Sequence, residues 1–324
     1  MHRRDLLKLT ALGSTATLFA PGELLSAVRT PILDAHIHLF DPTRPGGIPW
    51  PTPADTVLYR PALPDRYRKM ATQRGIVGAI AVEASPLATD NQWLLDIAAK
   101  SPMIVGVIGD LVPTAADYRT DLDRLHANPL FLGFRYGNLW DRDLATDLDK
   151  PGFFDGLRAL AQAGLVFESA NPNPALIRAL LRVAEKVPDL RMVIDHLPHA
   201  VLPTEASALD AYESNLQALA QHPGVFIKLS EIPVVANGKI ITDPAFYKSK
   251  LDHLWGLFGE DRVLFGSDWP NSDTTASFDQ TLRIVNNFIA TKSPKAREKY
   301  FYMNSVAAYR WHSRLPNQPT YLRE

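Results

Sequence analysis

The stretch Ile32-Leu33-Asp34-Ala35-His36-Ile37-His38 decides how this 324-residue chain is read. It is a short, mostly apolar run that closes on two imidazoles at i and i+2. On an extended strand those two rings leave the same face and can share one small volume. Outward from it the same form recurs, an apolar run ending in polar residues and followed by a helix-like stretch. The further runs are Val77–Glu83, Met103–Asp110, Phe131–Tyr136, Leu165–Ser169, Arg191–His196, Val225–Ser230 and Val263–Asp268. They are rich in Val, Ile, Leu and Phe with little alternation, the pattern of strands buried on both faces. Amphipathic segments separate them: Pro64–Arg74, Asn91–Lys100, Ala116–Ala127, Gly152–Ala163, Pro174–Val187, Ala206–Gln221, Ala245–Gly259 and Phe278–Thr291. Eight β–α alternations predict the α/β class and a (β/α)8 TIM barrel in a single domain. A doubly wound open sheet would need a glycine-rich phosphate loop after the first strand, and Phe40-Asp41-Pro42 offers none.

Composition narrows the function. The chain is 46% hydrophobic and 21% charged, and 34 Lys plus Arg against 35 Asp plus Glu leave a formal charge of −1. No basic excess or stripe marks a nucleic-acid partner. Cysteine is absent, which removes disulfides, thiolate metal sites and cysteine nucleophiles, so a bound metal must use His, Asp or Glu. No stretch is apolar and long enough for a stable membrane span. Residues 1–27 read differently from the rest. His2-Arg3-Arg4-Asp5-Leu6-Leu7-Lys8, the weakly apolar stretch from Leu9 to Phe19 and the small residues Ser26-Ala27 resemble a twin-arginine export signal. That resemblance implies the twin-arginine export machinery as a partner and a periplasmic location, with 28–324 forming the barrel; an amphipathic N-terminal helix is the plainer reading. Phe40–Arg60 is a long connection with seven Pro or Gly within Asp41–Pro53 and is expected to pass over the barrel mouth. The tail from His312 is expected to wrap the surface.

A barrel of this kind builds its site at the C-terminal ends of its strands. The runs end in Asp34-Ala-His36-Ile-His38, Glu83, Asp110, Arg135-Tyr136, Glu168-Ser169, Asp195-His196, Lys228-Leu-Ser230 and Ser267-Asp268-Trp269, and His199 follows His196 closely. Every run ends in something ionisable, which packing alone does not require. His36 and His38 can hold one cation or contact substrate, and the weaker alternative is a pair of core histidines. Asp268 can take a proton from water, ligate a metal, do both, or simply cap the next helix.

Asp34-x-His36-x-His38, Gly133-Phe-Arg135, Ile194-Asp-His196, Ile227-Lys228-Leu-Ser230 and Phe265-Gly-Ser-Asp268-Trp-Pro270 together resemble the amidohydrolase superfamily. More narrowly they are similar to its sugar-lactone and dicarboxylate-lactone hydrolase branch, over about Pro31 to Arg310. The resemblance implies a (β/α)8 fold, hydrolysis of a cyclic ester, and Asp268 as general base. Two departures stand out. Binuclear members carry a lysine at the end of strand four, where this chain has Arg135-Tyr136, and many mononuclear members carry a histidine at the end of strand five, where it has Glu168-Ser169. The implied cofactor is therefore one divalent ion at most, Zn²⁺ or Mn²⁺, on His36, His38 and Asp268 with Glu83 or Glu168, and an ion-free arrangement stays open.

On this reading His36 and His38 polarise the substrate carbonyl, Asp268 takes the proton from attacking water, and Asp268 or His196 returns it to the leaving oxygen. Arg135 and Lys228 are expected to face the mouth and favour an anionic or sugar-derived small molecule; their plainer role is pairing with Glu83, Glu168 or Glu231. Glu83, Tyr136, His199 and Trp269 complete the expected substrate contacts, and Trp50 and Trp140 are further candidates for stacking on a ring. A metal-dependent decarboxylase, another C–O or C–N hydrolase, and a non-catalytic binding barrel remain as alternatives.

Overall fold

In the computed structural model, which describes residues 30–319, the apolar runs form β1 (Ile32–His38), β2 (Ile76–Val82), β3 (Ile104–Asp110), β4 (Phe131–Arg135), β5 (Val166–Ser169), β6 (Arg191–Ile194) and β7 (Val225–Leu229). A two-residue hairpin pair, β8 (Val235–Ala236) and β9 (Lys239–Ile240), precedes the eighth barrel strand, β10 (Val263–Phe265). The export-signal reading of residues 1–27 lies outside the described residues. The eight long strands are parallel in the order β1-β2-β3-β4-β5-β6-β7-β10. The ring is drawn shut beyond the end of β10: Asp268 N–H donates to His36 O at 2.9 Å and His38 N–H donates to Trp269 O at 2.7 Å. This is the expected (β/α)8 barrel.

Helices fill the outside, among them α1 (Pro64–Ala71), α2 (Ala88–Lys100) and α3 (Tyr118–His126). A short α4 (Leu144–Asp147) precedes α5 (Phe153–Gln162), α6 (Pro174–Lys186), α7 (Ala206–Ala220), α8 (Pro244–Phe258) and α9 (Phe278–Ile289). Local sequence sets their starts. Asn173 caps α6 ahead of Pro174, and Ser277 with Gln280 forms a capping box on α9. No helix among the described residues is long and apolar enough to cross a membrane. The single turn of α4 and the hairpin carry too few periodic residues to be read in the sequence.

Inside the barrel the side chains are layered. Leu33, Ala35, Ile80, Val82, Val105, Ile108, Leu132, Val166, Val193, Phe226 and Leu264 pack as one apolar cluster. Two residues further along three of those strands, on the same inward face, stand Glu168, Asp195 and Lys228, all buried. The apolar plug therefore lies directly beneath a charged layer.

In β1 an irregularity shifts the alternation. Asp34 and Ile37 are three positions apart, while their partners on β2, Ala79 and Ala81, are two apart. That extra residue is a β-bulge. It lets Leu33 and Ala35 join the plug while His36 and His38 occupy the mouth above. Asp34 holds the bulge: its Oδ1 accepts from Ser267 N at 2.8 Å and from His36 N at 3.3 Å, and its Oδ2 accepts from Tyr67 on α1 at 2.7 Å.

The C-terminal segment closes the opposite end. Beyond α10 (Pro294–Glu298), in and beside α11 (Asn304–Tyr309), the side chains of Tyr302, Tyr309 and Trp311 join the interior cluster. Gln318 Nε2 donates to Val77 O at 2.9 Å near the start of β2. The tail therefore seals the N-terminal end of the barrel instead of merely wrapping its surface. Gln318 Nε2 also lies 3.2 Å from Pro102 O, so the tail is tied to backbone carbonyls at that end.

Gly133 illustrates how tightly the sheet is built, since a Cβ there would lie 2.0 Å from the Val166 carbonyl oxygen. Backbone of a paired strand cannot move aside. Gly133→Ala is therefore expected to cost about 3 kcal/mol, read as a fall in the urea midpoint at constant slope; a loss under about 1 kcal/mol would contradict it.

Candidate active site

The mouth of the barrel holds a cavity of about 250 Å³. Its polar wall comes from His38, Arg135, Asn171, His196, Glu231, Asp268 and Asn271, and its aromatic wall from Trp50 and Trp140. Trp50 lies on the long connection after β1, its indole 6.0 Å from the His38 ring, so that connection does pass over the mouth.

At the cavity floor three atoms converge. His36 Nε2 and His38 Nε2 are 3.2 Å apart, and Asp268 Oδ1 is 3.5 Å from the first and 3.2 Å from the second. Glycine makes the approach possible: a Cβ on Gly266 would sit 2.8 Å from His36 Cβ. Asp268 follows with φ at 60°, a left-handed backbone that ends β10 and turns its carboxylate back over the barrel.

The hydrogen-bond partners decide what these atoms offer. His38 Nδ1 faces Val82 O at 3.1 Å, so Nδ1 carries the hydrogen and Nε2 presents a lone pair. His36 Nδ1 lies 3.3 Å from Asp195 Oδ1 and 3.0 Å from Lys228 Nζ. Asp195 can accept from Nδ1 and Lys228 can donate to it, so either tautomer of His36 finds a partner there. Burial, with Lys228 adding to it, holds the His36 imidazole well below its ordinary range and therefore neutral. Burial pushes the Asp268 carboxyl up, but His196, His38 and His36 outweigh it and hold the group well below the usual carboxylate range. Asp268 Oδ1 has no hydrogen bond among the described residues, while Oδ2 accepts from Asn271 Nδ2 at 2.7 Å.

The Nε2 atoms of two imidazoles and a carboxylate oxygen thus face one point. Ligand bonds of 2.0–2.1 Å in tetrahedral geometry set ligand atoms about 3.3 Å apart. The observed separations of 3.2, 3.2 and 3.5 Å match one face of such a site. The cluster suits a single divalent metal ion. The expected extra donors are not part of it. Glu83 and Glu168 are absent from every His/Asp/Glu group close enough to hold an ion among the described residues.

His196 stands beside this cluster, Nε2 3.9 Å from Asp268 Oδ1. Ser230 Oγ is 3.3 Å from the His196 backbone N–H and 2.9 Å from its Nδ1. A hydroxyl that accepts from the first and donates to the second leaves the ring hydrogen on Nε2, pointing to the cavity. Like Asp268, His196 has a left-handed backbone, φ 51°, just past the end of its strand.

The charged layer supports this floor. Lys228 Nζ donates to Glu168 Oε1 at 2.7 Å and pairs with Asp195 Oδ1 at 2.9 Å, and Tyr309 donates to Glu168 Oε2 at 2.6 Å. Burial, with Asp195 close by, pushes the Glu168 carboxyl up, and the hydrogen bonds from Lys228 and Tyr309 pull it back. Burial also pushes Asp195 up, but Lys228 and His36 outweigh it and hold that group well below its ordinary range. Arg135 Nε donates to Glu83 Oε1 at 2.7 Å and its Nη2 to Glu83 O at 2.9 Å. Glu83 Oε2 in turn accepts from Trp140 Nε1 at 3.0 Å.

Several expected substrate contacts stand elsewhere. Lys228 is fully buried, one layer beneath the mouth, because the chain runs on past β7 to Ser230 and Glu231 before it turns. Tyr136 is buried on the outer face, its hydroxyl donating to Asp147 at 2.5 Å, since it is one residue out of phase with Arg135. Trp269 packs on Tyr67 outside the barrel, 5.2 Å between rings, for the same reason relative to Asp268. His199 ends a 3₁₀ turn, Leu197–His199, and does not line the cavity. Glu83 is spent on Arg135 and Trp140, as a brace of the cavity wall. Arg135 reaches the cavity, but with its guanidinium already paired to Glu83. The sequence reading passed over Asn171, Glu231 and Asn271 as site residues. Glu231 directly follows Ser230, and following each run one residue further would have found it.

The chain can now be set beside known proteins. A family model described as amidohydrolase matches residues 33–311. An L-fucono-1,5-lactonase from Burkholderia ambifaria is 29% identical over 250 residues, covering 76% of this chain and 82% of that one. A crystal structure of an amidohydrolase from Burkholderia multivorans with bound HEPES superposes with a TM-score of 0.77 at 23% identity, covering 87% of this chain and all of the other. A second crystal form of it, with bound zinc, gives 0.73. A probable 2-pyrone-4,6-dicarboxylic acid hydrolase from Acinetobacter baumannii, with citric acid bound, gives 0.67 at 17% identity, covering 86% of this chain and 98% of the other. The fold, the converging histidines and carboxylate, and a family match over most of the chain agree: this protein is a hydrolase belonging to the amidohydrolase family.

Proposed function

We propose that this protein hydrolyses the ring ester of a lactone, a cyclic ester of a sugar acid or a dicarboxylic acid, with Asp268 as general base. The observation that carries the reading is the meeting of His36 Nε2, His38 Nε2 and Asp268 Oδ1 within 3.5 Å at the floor of a cavity sized for a small molecule. The lactonase from B. ambifaria adds weight, and the zinc in the B. multivorans amidohydrolase favours zinc on the three converging groups here.

A divalent ion on His36, His38 and Asp268 would supply a Lewis acid for the ester carbonyl and ease ionisation of water. The chain's own groups account for the proton traffic. Water attacks the ester carbon, and Asp268 Oδ1, the oxygen left free by Asn271, accepts its proton. His196 Nε2–H donates a hydrogen bond to the oxyanion as negative charge gathers there. The ring C–O bond then breaks, and Asp268 returns the proton to the departing ring oxygen, leaving a hydroxy acid. Trp50 and Trp140 offer flat apolar faces to the ring.

The charge of the wall favours a neutral, hydroxyl-bearing sugar lactone over a dicarboxylate. Arg135 is paired to Glu83, Arg142 is paired to Asp110 at 2.8 and 2.9 Å, and Lys228 lies beneath the floor. The carboxyl groups on the wall, Glu231 and Asp268, have only imidazoles beside them and no Arg or Lys partner. Export to the periplasm through the twin-arginine machinery belongs to the same proposal and is supported by Arg3-Arg4 and the stretch that follows.

Three measurements test this. Asp268→Asn keeps the shape and removes the base, so kcat on a responsive lactone should fall by at least about 10³-fold with the fold intact by circular dichroism. A fall below about tenfold, or release of carbon dioxide from an aromatic acid in place of acid from lactones, would contradict the reading. Elemental analysis should find about one zinc or manganese per chain in the purified protein and a loss of most of it in His36→Ala or His38→Ala. Equal metal content in the variants would place the ion elsewhere. Replacing Arg3 and Arg4 with lysine should hold the protein in the cytoplasmic fraction, and unchanged fractionation would rule out that export route.

A further inference from the structure

Left-handed backbone is costly for any residue but glycine, and it persists where the surroundings hold it in place. Eight non-glycine residues adopt it among the described residues, and five of them line the mouth cavity: Trp140 (φ 56°), Asn171 (φ 58°), His196 (φ 51°), Glu231 (φ 52°) and Asp268 (φ 60°). His196 and Asp268 have roles above. Glu231 has none, and of the remaining three it is the one whose side chain brings a carboxyl group to the cavity wall.

Glu231 follows Ser230 at the end of β7, and its strained turn sends the carboxylate toward the site instead of along the strand direction. The side chain is 30% exposed, and its nearest ionic partner is His196 Nδ1 at 3.7 Å, beyond hydrogen-bond distance. Carboxylates that brace a structure look different here: Glu83 and Glu168 each accept from several donors at 2.6–3.0 Å. A Glu231 oxygen also lies within 4.8 Å of ligand-type atoms of both His196 and Asp268. It therefore borders the position where the ester carbon must sit to meet Asp268 Oδ1.

Only a few substrate atoms come that close to the carbonyl carbon. The ring oxygen offers lone pairs alone, and a carboxylate beside it would be repelled. The hydroxyl on the neighbouring ring carbon is two bonds from the carbonyl carbon and can donate.

On the lactone reading above, we propose that Glu231 is a specificity-determining residue: it accepts a hydrogen bond from the hydroxyl next to the ester carbonyl and so selects 2-hydroxylated sugar lactones. The site is built to hold that hydroxyl, and a lactone lacking it leaves the carboxylate without its donor.

The test compares 2-hydroxylated lactones with their 2-deoxy counterparts. D-glucono- and D-galactono-1,5-lactone and the two 2-deoxy lactones are assayed with the wild type, Glu231→Ala and Glu231→Gln. Wild type is expected to prefer the hydroxylated member of at least one pair. In that pair, Glu231→Ala should lower kcat/KM at least about tenfold more for the hydroxylated than for the 2-deoxy lactone, mostly through KM, and Glu231→Gln should restore part of the preference because its amide oxygen still accepts. Equal losses on both members, or a loss confined to kcat, would make Glu231 a proton carrier or a purely structural group and overturn the proposal. Binding is read separately by quenching of Trp50 and Trp140 fluorescence with the corresponding hydrolysis-resistant 1,5-lactams. There the same tenfold difference is expected even if no lactone is turned over, which would count against the lactone reading alone. Lactams that bind Glu231→Ala and wild type with the same preference, or that bind neither, would overturn the inference itself.

Discussion

The site rests on a layer of charges sealed inside the barrel. Lys228, Asp195 and Glu168 are each fully buried, and a lone charge at that depth would be strongly destabilising. None is alone. Tyr309 donates to Glu168, Glu168 and Asp195 flank Lys228, and Arg135 reaches from Asp195 at 3.5 Å to Glu83, which holds Trp140. The layer runs from the C-terminal helix α11, through the barrel, to the aromatic wall of the mouth. His36 stands on it through Asp195 and Lys228, so the buried imidazole that meets His38 and Asp268 at the cavity floor is oriented by groups that substrate never meets. The apolar plug beneath keeps water from reaching this layer from below, which keeps its pairings strong.

Two backbone devices turn that foundation into a site. The bulge in β1, fixed by Asp34, brings both histidines to the mouth without disturbing the plug. The left-handed turns at His196 and Asp268 bend the chain just past β6 and β10 and bring their side chains over the cavity. Close packing makes both devices necessary: Gly266 leaves only 2.8 Å between the position of an added Cβ and His36, so the floor has no slack to be shaped by side-chain choice alone.

Much of this was legible in the sequence because a barrel strand announces itself twice, by an unbroken apolar run and by an abrupt polar end. The strands and most of the surrounding helices fall within a few residues of the runs quoted from the sequence. His36, His38, His196 and Asp268 were found by the same sign, and the structure brings all four together. What escaped is set by phase and depth. Tyr136 and Trp269 each lie one residue past an inward-facing position, and a one-residue step on a strand reverses the face. Lys228 has the right phase but lies a layer too deep, because how far β7 continues beyond it is settled by pairing with its neighbours and not by its own residues. Glu231 and Asn171 sit in loops and Asn271 opens a short 3₁₀ turn, where apolar periodicity is silent, and the left-handed backbone of the first two leaves no mark in the sequence because neither is glycine. The C-terminal plug escapes for a related reason: Gln318 is polar and reads as surface, yet it is buried and donates to the backbone carbonyls of Val77 and Pro102.

The account depends on two imidazole nitrogens and one carboxylate oxygen sharing a single cation at the barrel mouth. A crystal structure grown with zinc, with data collected on both sides of the zinc absorption edge, tests this most directly. The account predicts one strong anomalous peak within about 2.3 Å of His36 Nε2, His38 Nε2 and Asp268 Oδ1. An anomalous map with no peak there, or a peak held by other side chains while these three stand apart, would contradict it.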